Sequence, residues 1–476
     1  MSLRIMSLRF FWIFFLVLLT ACSQSSQALN PREFKSPPLV FELPEVERID
    51  LPNGMRLYLK EDHELPLVQV TAMIGAGSIG DPADKTGLGQ LYAALLRTGG
   101  AGDFSPAEFD AELDRLAIDL SVGTDSYATT CGMSMQASDM KRGFTLLTAL
   151  LRHPHFDAQR LELARRQLLE QIRRQDDDPG FVANRTLRKA VYGNHPLGRI
   201  PTVDTARAVT RKDLTTFQDR YALPNNLWLG VSGDFDREQL LSLLKELFGD
   251  WPARDFIPQK IPPLPKAPSP AVYPVAKDLP QTTILLGERG IDKDNPDLYA
   301  VRVMNYILGG GGFNSRLMRQ VRSNRGLAYS VYSYFEVGRR LPGLFIAGCE
   351  TKTATVEGTT SLMRSLMREM TERPVSAQEL ELAKESLINS FVFAFDNTHE
   401  IVTQTMRLDF YDYPPDYLQR YRERLASVTA QQVLDAARRH LDLQKQVIVL
   451  VGEQGDSRKW SQAFGLPVAA TETIPD

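Results

Sequence analysis

A chain of 476 residues, 43% apolar and 24% charged, has globular composition and enough length for two or more large cores. Its formal net charge of −3 and the absence of a long basic run argue against nucleic acid as a partner.

The N-terminus reads as an export signal. Arg4 and Arg9 precede the apolar run FFWIFFLVLL, Phe10 to Leu19, which is followed by Thr20-Ala21-Cys22. The run is short for a membrane span and fits a secretory h-region. Leu19-Thr20-Ala21-Cys22 resembles a bacterial lipobox, in which Cys22 is acylated and becomes the mature N-terminus. Ser23, rather than Asp, after that cysteine points to the outer membrane in such lipoproteins. MSLR occurs twice, so translation starts at Met1 or Met6. Residues 1–22 are therefore expected to be a lipoprotein signal peptide and the polar stretch 23–45 a tether. The protein is expected in the bacterial cell envelope, lipid-anchored on the periplasmic face of the outer membrane. Cys131 and Cys349 each sit in an apolar, strand-like stretch and read as buried free thiols.

Met55–Leu59 and Val68–Ile74 read as strands. In TGLGQLYAALL, residues 86–96, Leu88, Leu91, Tyr92, Leu95 and Leu96 form one stripe of an amphipathic helix. The other face carries Gln90, Ala93, Ala94 and Arg97. Residues 105–116 read as helix, a strand pair lies within 117–135, and helices follow over 139–152, 157–175 and 210–222. WLGVSGD, 228–234, closes the unit as a strand. His153 and His155 flank a proline in a helix-ending turn and read as structural.

The chain contains itself twice. AQRLELARRQLLEQI from Ala158 matches AQELELAKESLINSF from Ala377, and the segment from Val209 matches the one from Val428. Both offsets are 219 (377 − 158 and 428 − 209). This period is far longer than a solenoid repeat and means two similar domains, expected over 46–251 and 281–455. Residues 252–280, with nine prolines, read as a linker, and 456–476 as a tail. Strands and helices in separate runs predict an α+β fold, each sheet covered by helices on one face.

The opening LPNGMRLYLKEDHELPLVQVTAMIGAGSIGDPADKTGLGQLYAALL, 51–96, resembles the pitrilysin/insulinase family, which includes mitochondrial processing peptidase and small bacterial two-domain peptidases. The matching features are Leu51-x-Asn53-Gly54, Pro66 before the second strand, Gly75-Ala76-Gly77-Ser78, Asp81-Pro82, and Gly87-Leu88 at the start of a helix. The resemblance implies two tandem homologous domains forming half of a clam-like peptidase chamber. In active members this helix carries H-x-x-E-H, two histidines binding zinc and a glutamate activating the metal-bound water. Those positions here are Gln90, Ala93 and Ala94, none of which does that work. Glu170 matches the family's third zinc ligand, against the plainer reading of a solvated helix glutamate.

The family also holds substrate with an arginine and a tyrosine seven residues apart. Arg322 and Tyr329 have that spacing in ILGGGGFNSRLMRQVRSNRGLAYSVYSYFEV, with Arg322 ending a helix and Tyr329 on the following strand. Arg offers a positive fork and the tyrosyl hydroxyl a donor to a developing oxyanion. The plainer readings are a helix-capping Arg and a Tyr packed on the sheet. Gly309 to Gly312 lacks the following Lys-Ser/Thr of a phosphate loop and reads as a helix junction. Gly123, Thr124, Asp125 and Ser126 sit where the family's edge strand pairs with extended peptide, against an ordinary sheet edge.

The expected function is the non-zinc subunit of a split metallopeptidase, inactive alone. It would bind peptide and supply Arg322 and Tyr329 to a partner subunit bearing H-x-x-E-H and the zinc, with no cofactor in this chain. An inert scaffold or peptide-binding lipoprotein is the alternative, and an independent zinc endopeptidase with displaced ligands a weaker one.

Overall fold

The computed structural model describes residues 45–266, 269–453 and 455–473. The signal peptide, Cys22 and the tether through residue 44 lie outside the described residues. The first repeat runs β1 (Glu47–Asp50), β2 (Arg56–Glu61), β3 (Leu67–Ile74), α1 (Leu88–Thr98), α2 (Pro106–Arg115), β4 (Asp119–Thr124), β5 (Thr129–Gln136), α3 (Met140–Arg152), α4 (Ala158–Arg174), α5 (Pro179–Tyr192), α6 (Val203–Ala208), α7 (Arg211–Tyr221), β6 (Leu227–Gly233) and α8 (Arg237–Phe248). The second runs β7 (Val272–Ala276), β8 (Gln281–Arg289), α9 (Leu298–Asn305), β9 (Val331–Phe335), β10 (Leu344–Lys352), α10 (Val356–Glu372), α11 (Ala377–Ser390), α12 (Thr398–Phe410), α13 (Tyr417–Ala426), α14 (Ala430–His440), β11 (Val447–Gly452), α15 (Ser457–Phe464) and β12 (Glu472–Thr473).

Local chemistry repeats with the period. Asp157 and Ser376 cap α4 and α11, Asp178 and Asn397 cap α5 and α12, and Thr210 and Thr429 cap α7 and α14. Each pair lies 219 residues apart (376 − 157, 397 − 178, 429 − 210). In every case a side-chain oxygen accepts from an otherwise unpaired N–H of the first turn.

The sheets repeat too. Their strand orders are β1-β2-β6-β3-β5-β4 and β12-β7-β11-β8-β10-β9. β2 pairs β6, and β7 pairs β11, in parallel. Two of the expected segments change. The proline-rich segment 252–280 contributes β7, and the segment 456–476 contributes α15 and β12. Pro274 hides β7 from a sequence reading, because a strand proline donates no ladder bond and reads as a break.

Each sheet buries one face under its own helices. The opposite face is covered as well, by a helix from the other repeat. α5 lays Val182, Leu187 and Val191 on Leu285, Ile346 and Val449 of the second sheet. α12 lays Val402, Met406 and Phe410 on Tyr58, Met73 and Trp228 of the first. Strands apolar on both faces follow from this exchange, and β6 and β11 are buried almost throughout. Close approach has a sequence correlate: a Cβ on Gly287 would lie 2.6 Å from Leu187 Cδ2, and one on Gly230 2.9 Å from Val402 Cγ1. Polar anchors finish the α12 contact. His399 bonds Thr71 and Ser232, each at 2.9 Å, and Asp409 accepts from Tyr58 at 2.5 Å and Arg48 at 2.7 Å.

Cys131 and Cys349 are buried and free, as their apolar settings predict, and burial pushes both thiols up to about 12.

Candidate functional site

α1 starts on Gly87, whose φ of +107° turns the chain into the helix. The buried Asp81 carboxylate accepts from the N–H groups of Gly87 (2.9 Å) and Gly89 (3.1 Å), answering the positive end of the helix. Burial pushes that acid up to about 6 against those bonds.

The three motif positions lie on one side of α1 but in different surroundings. Gln90 is exposed, Ala94 half-buried and Ala93 buried. At Ala93 the slot is therefore closed by packing. Glu170, on the neighbouring α4, is ion-paired within its own helix, to Arg174 Nε at 2.7 Å and Arg173 Nη1 at 3.7 Å. One amide, two methyl groups and an arginine-paired carboxylate do not fit a zinc ion, which takes three or four N, S or O donors. Among the described residues, no three His, Cys, Asp or Glu side chains come together as a metal site elsewhere. His155 instead bonds the Gly102 carbonyl at 2.6 Å.

α1 runs beside β4, the outermost strand of the first sheet. Arg97 links them, pairing with Asp110 at 2.8 Å and donating to the Leu120 carbonyl at 2.9 Å. Gly123 and Thr124 end β4, whereas Asp125 and Ser126 form the turn after it. Asp125 Oδ1 accepts from the N–H of Tyr127 and of Ala128, which makes that turn. The carbonyls of Asp125 and Ser126 already accept from Ser78 and Ile79 N–H, each at 2.9 Å. Only Gly123 and Thr124 of the four belong to the strand.

The second sheet presents a different surface. Arg322 lies in the last turn of a π-helical segment, Met318–Ser323, and its guanidinium carbon sits 4.4 Å from the Tyr329 ring centre and 4.7 Å from that of Phe313. Tyr329 stands in the loop two residues before β9 rather than on a strand, because the chain reaches extended, paired geometry only at Val331. Its side chain is not packed on the sheet: Tyr329 is 83% and Phe313 65% exposed. Phe313 escaped the sequence reading, although an aromatic residue directly after four glycines is a visible signal. The glycines serve packing and turning. A Cβ on Gly309 would lie 2.4 Å from Ser333 Oγ of β9, and Gly312 has a φ of +55°. The result is a half-buried cation in contact with two exposed rings, each such contact worth about 0.5–1 kcal/mol near a surface.

Comparison with known proteins agrees with this architecture. Residues 56–205 match the family model described as insulinase (peptidase family M16), and 208–387 the one described as the peptidase M16 inactive domain. The chain belongs to the insulinase family, M16. It is a family member without the H-x-x-E-H motif. A relative from Helicobacter pylori named a non-peptidase homolog, YmxG, is 25% identical over 83% of this chain and 91% of its own length. An uncharacterized zinc protease of Mycobacterium tuberculosis is 26% identical over 87% of this chain and 95% of its own. A crystal structure titled peptidase M16 inactive domain, from Pseudomonas fluorescens, superposes with a TM-score of 0.78 at 27% identity, covering 87% of this chain and 99% of that one. The fold is shared with a protease from Helicobacter pylori, TM-score 0.77 at 18% identity, covering 86% and 100%.

Proposed function

We propose that this M16 chain is the non-zinc subunit of a split metallopeptidase. It closes half of a chamber, holds an extended peptide on β4, and offers Arg322 and Tyr329 to a partner's zinc site. The observation that carries this reading is an asymmetry. The metal positions of α1 hold an amide and two methyl groups, one of them packed into the core, while in the other repeat an exposed Tyr329 stands against a half-buried Arg322. A chain that kept only its fold has no need of an exposed tyrosine beside a guanidinium that meets no carboxylate among the described residues. The naming of one relative as a non-peptidase homolog supports inactivity of the isolated chain. The proposal includes attachment of the mature protein to the envelope through acylated Cys22, which several acyl chains make durable.

The deciding experiment mixes the purified protein with a family subunit bearing H-x-x-E-H and follows cleavage of a peptide together with co-elution. Cleavage well above the partner alone is expected. A complex that forms with no gain in cleavage would favour an inert scaffold, and recovery of the Cys22→Ala variant and wild type alike in the soluble fraction would remove the anchor.

A further inference from the structure

A cavity of about 350 Å³ opens between α11, α12 and α13, away from the residues above. Its lining residues include Arg302, Arg339 and Arg407 and no aspartate or glutamate. Among the described residues, none of these three arginines is ion-paired, although most other arginines with long-range contacts in the chain meet a carboxylate. Arg302 is partly accounted for: it donates to the Tyr417 hydroxyl at 3.1 Å and lies 4.9 Å over the Tyr421 ring. Arg339 lies 4.7 Å over the Tyr411 ring. Ring stacking does not offset the mutual repulsion of three like charges around one space, and it leaves Arg407 without any partner.

Tyr411 adds an independent observation. Only 1% exposed, it lines the same cavity, and its buried hydroxyl makes no hydrogen bond of proper geometry despite the guanidinium beside it. A buried hydroxyl without a partner is costly and marks a place where a ligand group or water completes the bonding. The rest of the wall is mixed, with Leu387 and Phe391 beside Gln404 and several tyrosines. Three cations, an unused donor and aromatic and aliphatic side chains in a volume of this size describe a small-molecule site.

We propose that this cavity binds a small organic carboxylate with an apolar or aromatic body, its carboxylate taken by Arg407 with Arg302 and Arg339 nearby and the Tyr411 hydroxyl as further donor. Arginine forks match a carboxylate with paired, charge-assisted hydrogen bonds. This site is independent of the peptidase partner.

The test titrates the full protein calorimetrically with N-acetylphenylalanine, its neutral amide and inorganic phosphate. Saturable one-to-one binding of the carboxylate is expected, with the amide at least tenfold weaker. Arg407→Gln should weaken binding roughly tenfold, the usual scale for losing one charge-assisted pair. Tyr411→Phe should weaken it less while leaving the unliganded protein at least as heat-stable as wild type, since it removes an unpaired hydroxyl. This second variant keeps the test alive should Arg407→Gln fold poorly. No carboxylate binding, equal binding of the amide, binding of phosphate alone, or titrations unchanged in both variants would each overturn the proposal.

Discussion

Arg322 lies with its guanidinium carbon 4.4 Å from the centre of the Tyr329 ring, so the two residues form one unit and not two independent contacts. Removing either changes how the other is presented. In the reconstituted peptidase, Tyr329→Phe deletes the hydroxyl and keeps the stack, whereas Arg322→Ala deletes the cation and frees the ring. Loss of one oxyanion donor costs ~10²–10³ in rate, about 2.7–4 kcal/mol. Each variant is therefore expected to cut turnover on that order with the complex intact. Phe313→Ala should cost less, because it leaves both reacting groups and loosens only their support. Full activity from Tyr329→Phe and Arg322→Ala in an assembled complex would make the pair structural.

The repeat, the α+β class and most helices are legible in the sequence because they depend on local chemistry. The 219-residue offset recurs in capping residues, whose effect is confined to one helical turn. The exchange of α5 and α12 between sheets is not legible, since an apolar helix stripe does not say which sheet it meets. Gly287 and Gly230 hold that information only once the partner helices are known. At the site, Gln90, Ala93 and Ala94 report the missing zinc donors directly. The stacking of Phe313 on Arg322 escapes because it is set by a contact between segments, whereas the Asp125 turn is local and legible in an aspartate that accepts from the N–H groups two and three residues on.

The lost zinc site gives a second prediction. Gln90→His, Ala93→Glu and Ala94→His together restore the motif one helical turn apart, with Glu170 as the remaining ligand. Glu170 first has to leave Arg174, a half-exposed i,i+4 pair worth only about 0.3–0.5 kcal/mol, so the ion pair is no serious obstacle. The new glutamate enters a buried position and is expected to destabilise the chain without metal by about 1–3 kcal/mol. Zinc should then raise the thermal midpoint of the triple variant and leave wild type unmoved. A triple variant indifferent to zinc would mean that these three positions are not in the metal register.

Helix exchange sets the third. Leu187 is fully buried and meets Gly287, where an added Cβ would stand 2.6 Å from its Cδ2. Gly287→Val should destabilise by about 1–3 kcal/mol through overpacking. Leu187→Ala should cost about 2–5 kcal/mol by leaving a cavity. Because each change makes room for or fills the other, the double variant should be less destabilised than the sum of the two. Simple additivity in chemical unfolding would show that the α5 contact is not where the structure puts it.

His399 supplies the last prediction, and its sign follows from burial. Lodged between Thr71 and Ser232, with the cationic Arg407 nearby, this imidazole is held down to about 4 from 6.5, first by burial and then by that charge. Between those values the unfolded chain carries a proton that the folded one refuses. Stability is therefore full above pH 6.5 and falls as the pH drops toward 4, and below that no further loss comes from this group. A displacement of this size corresponds to roughly 3 kcal/mol at about 1.4 kcal/mol per pH unit. His399→Asn should lower stability at pH 7.5, where the two hydroxyls lose their partner, yet show a shallower decline on acidification. Arg407→Gln should also flatten the decline, since it removes the charge that disfavours protonation. Urea unfolding of the three proteins between pH 7.5 and 4.5 measures this, and parallel pH profiles for all of them would rule out His399 as the group that titrates.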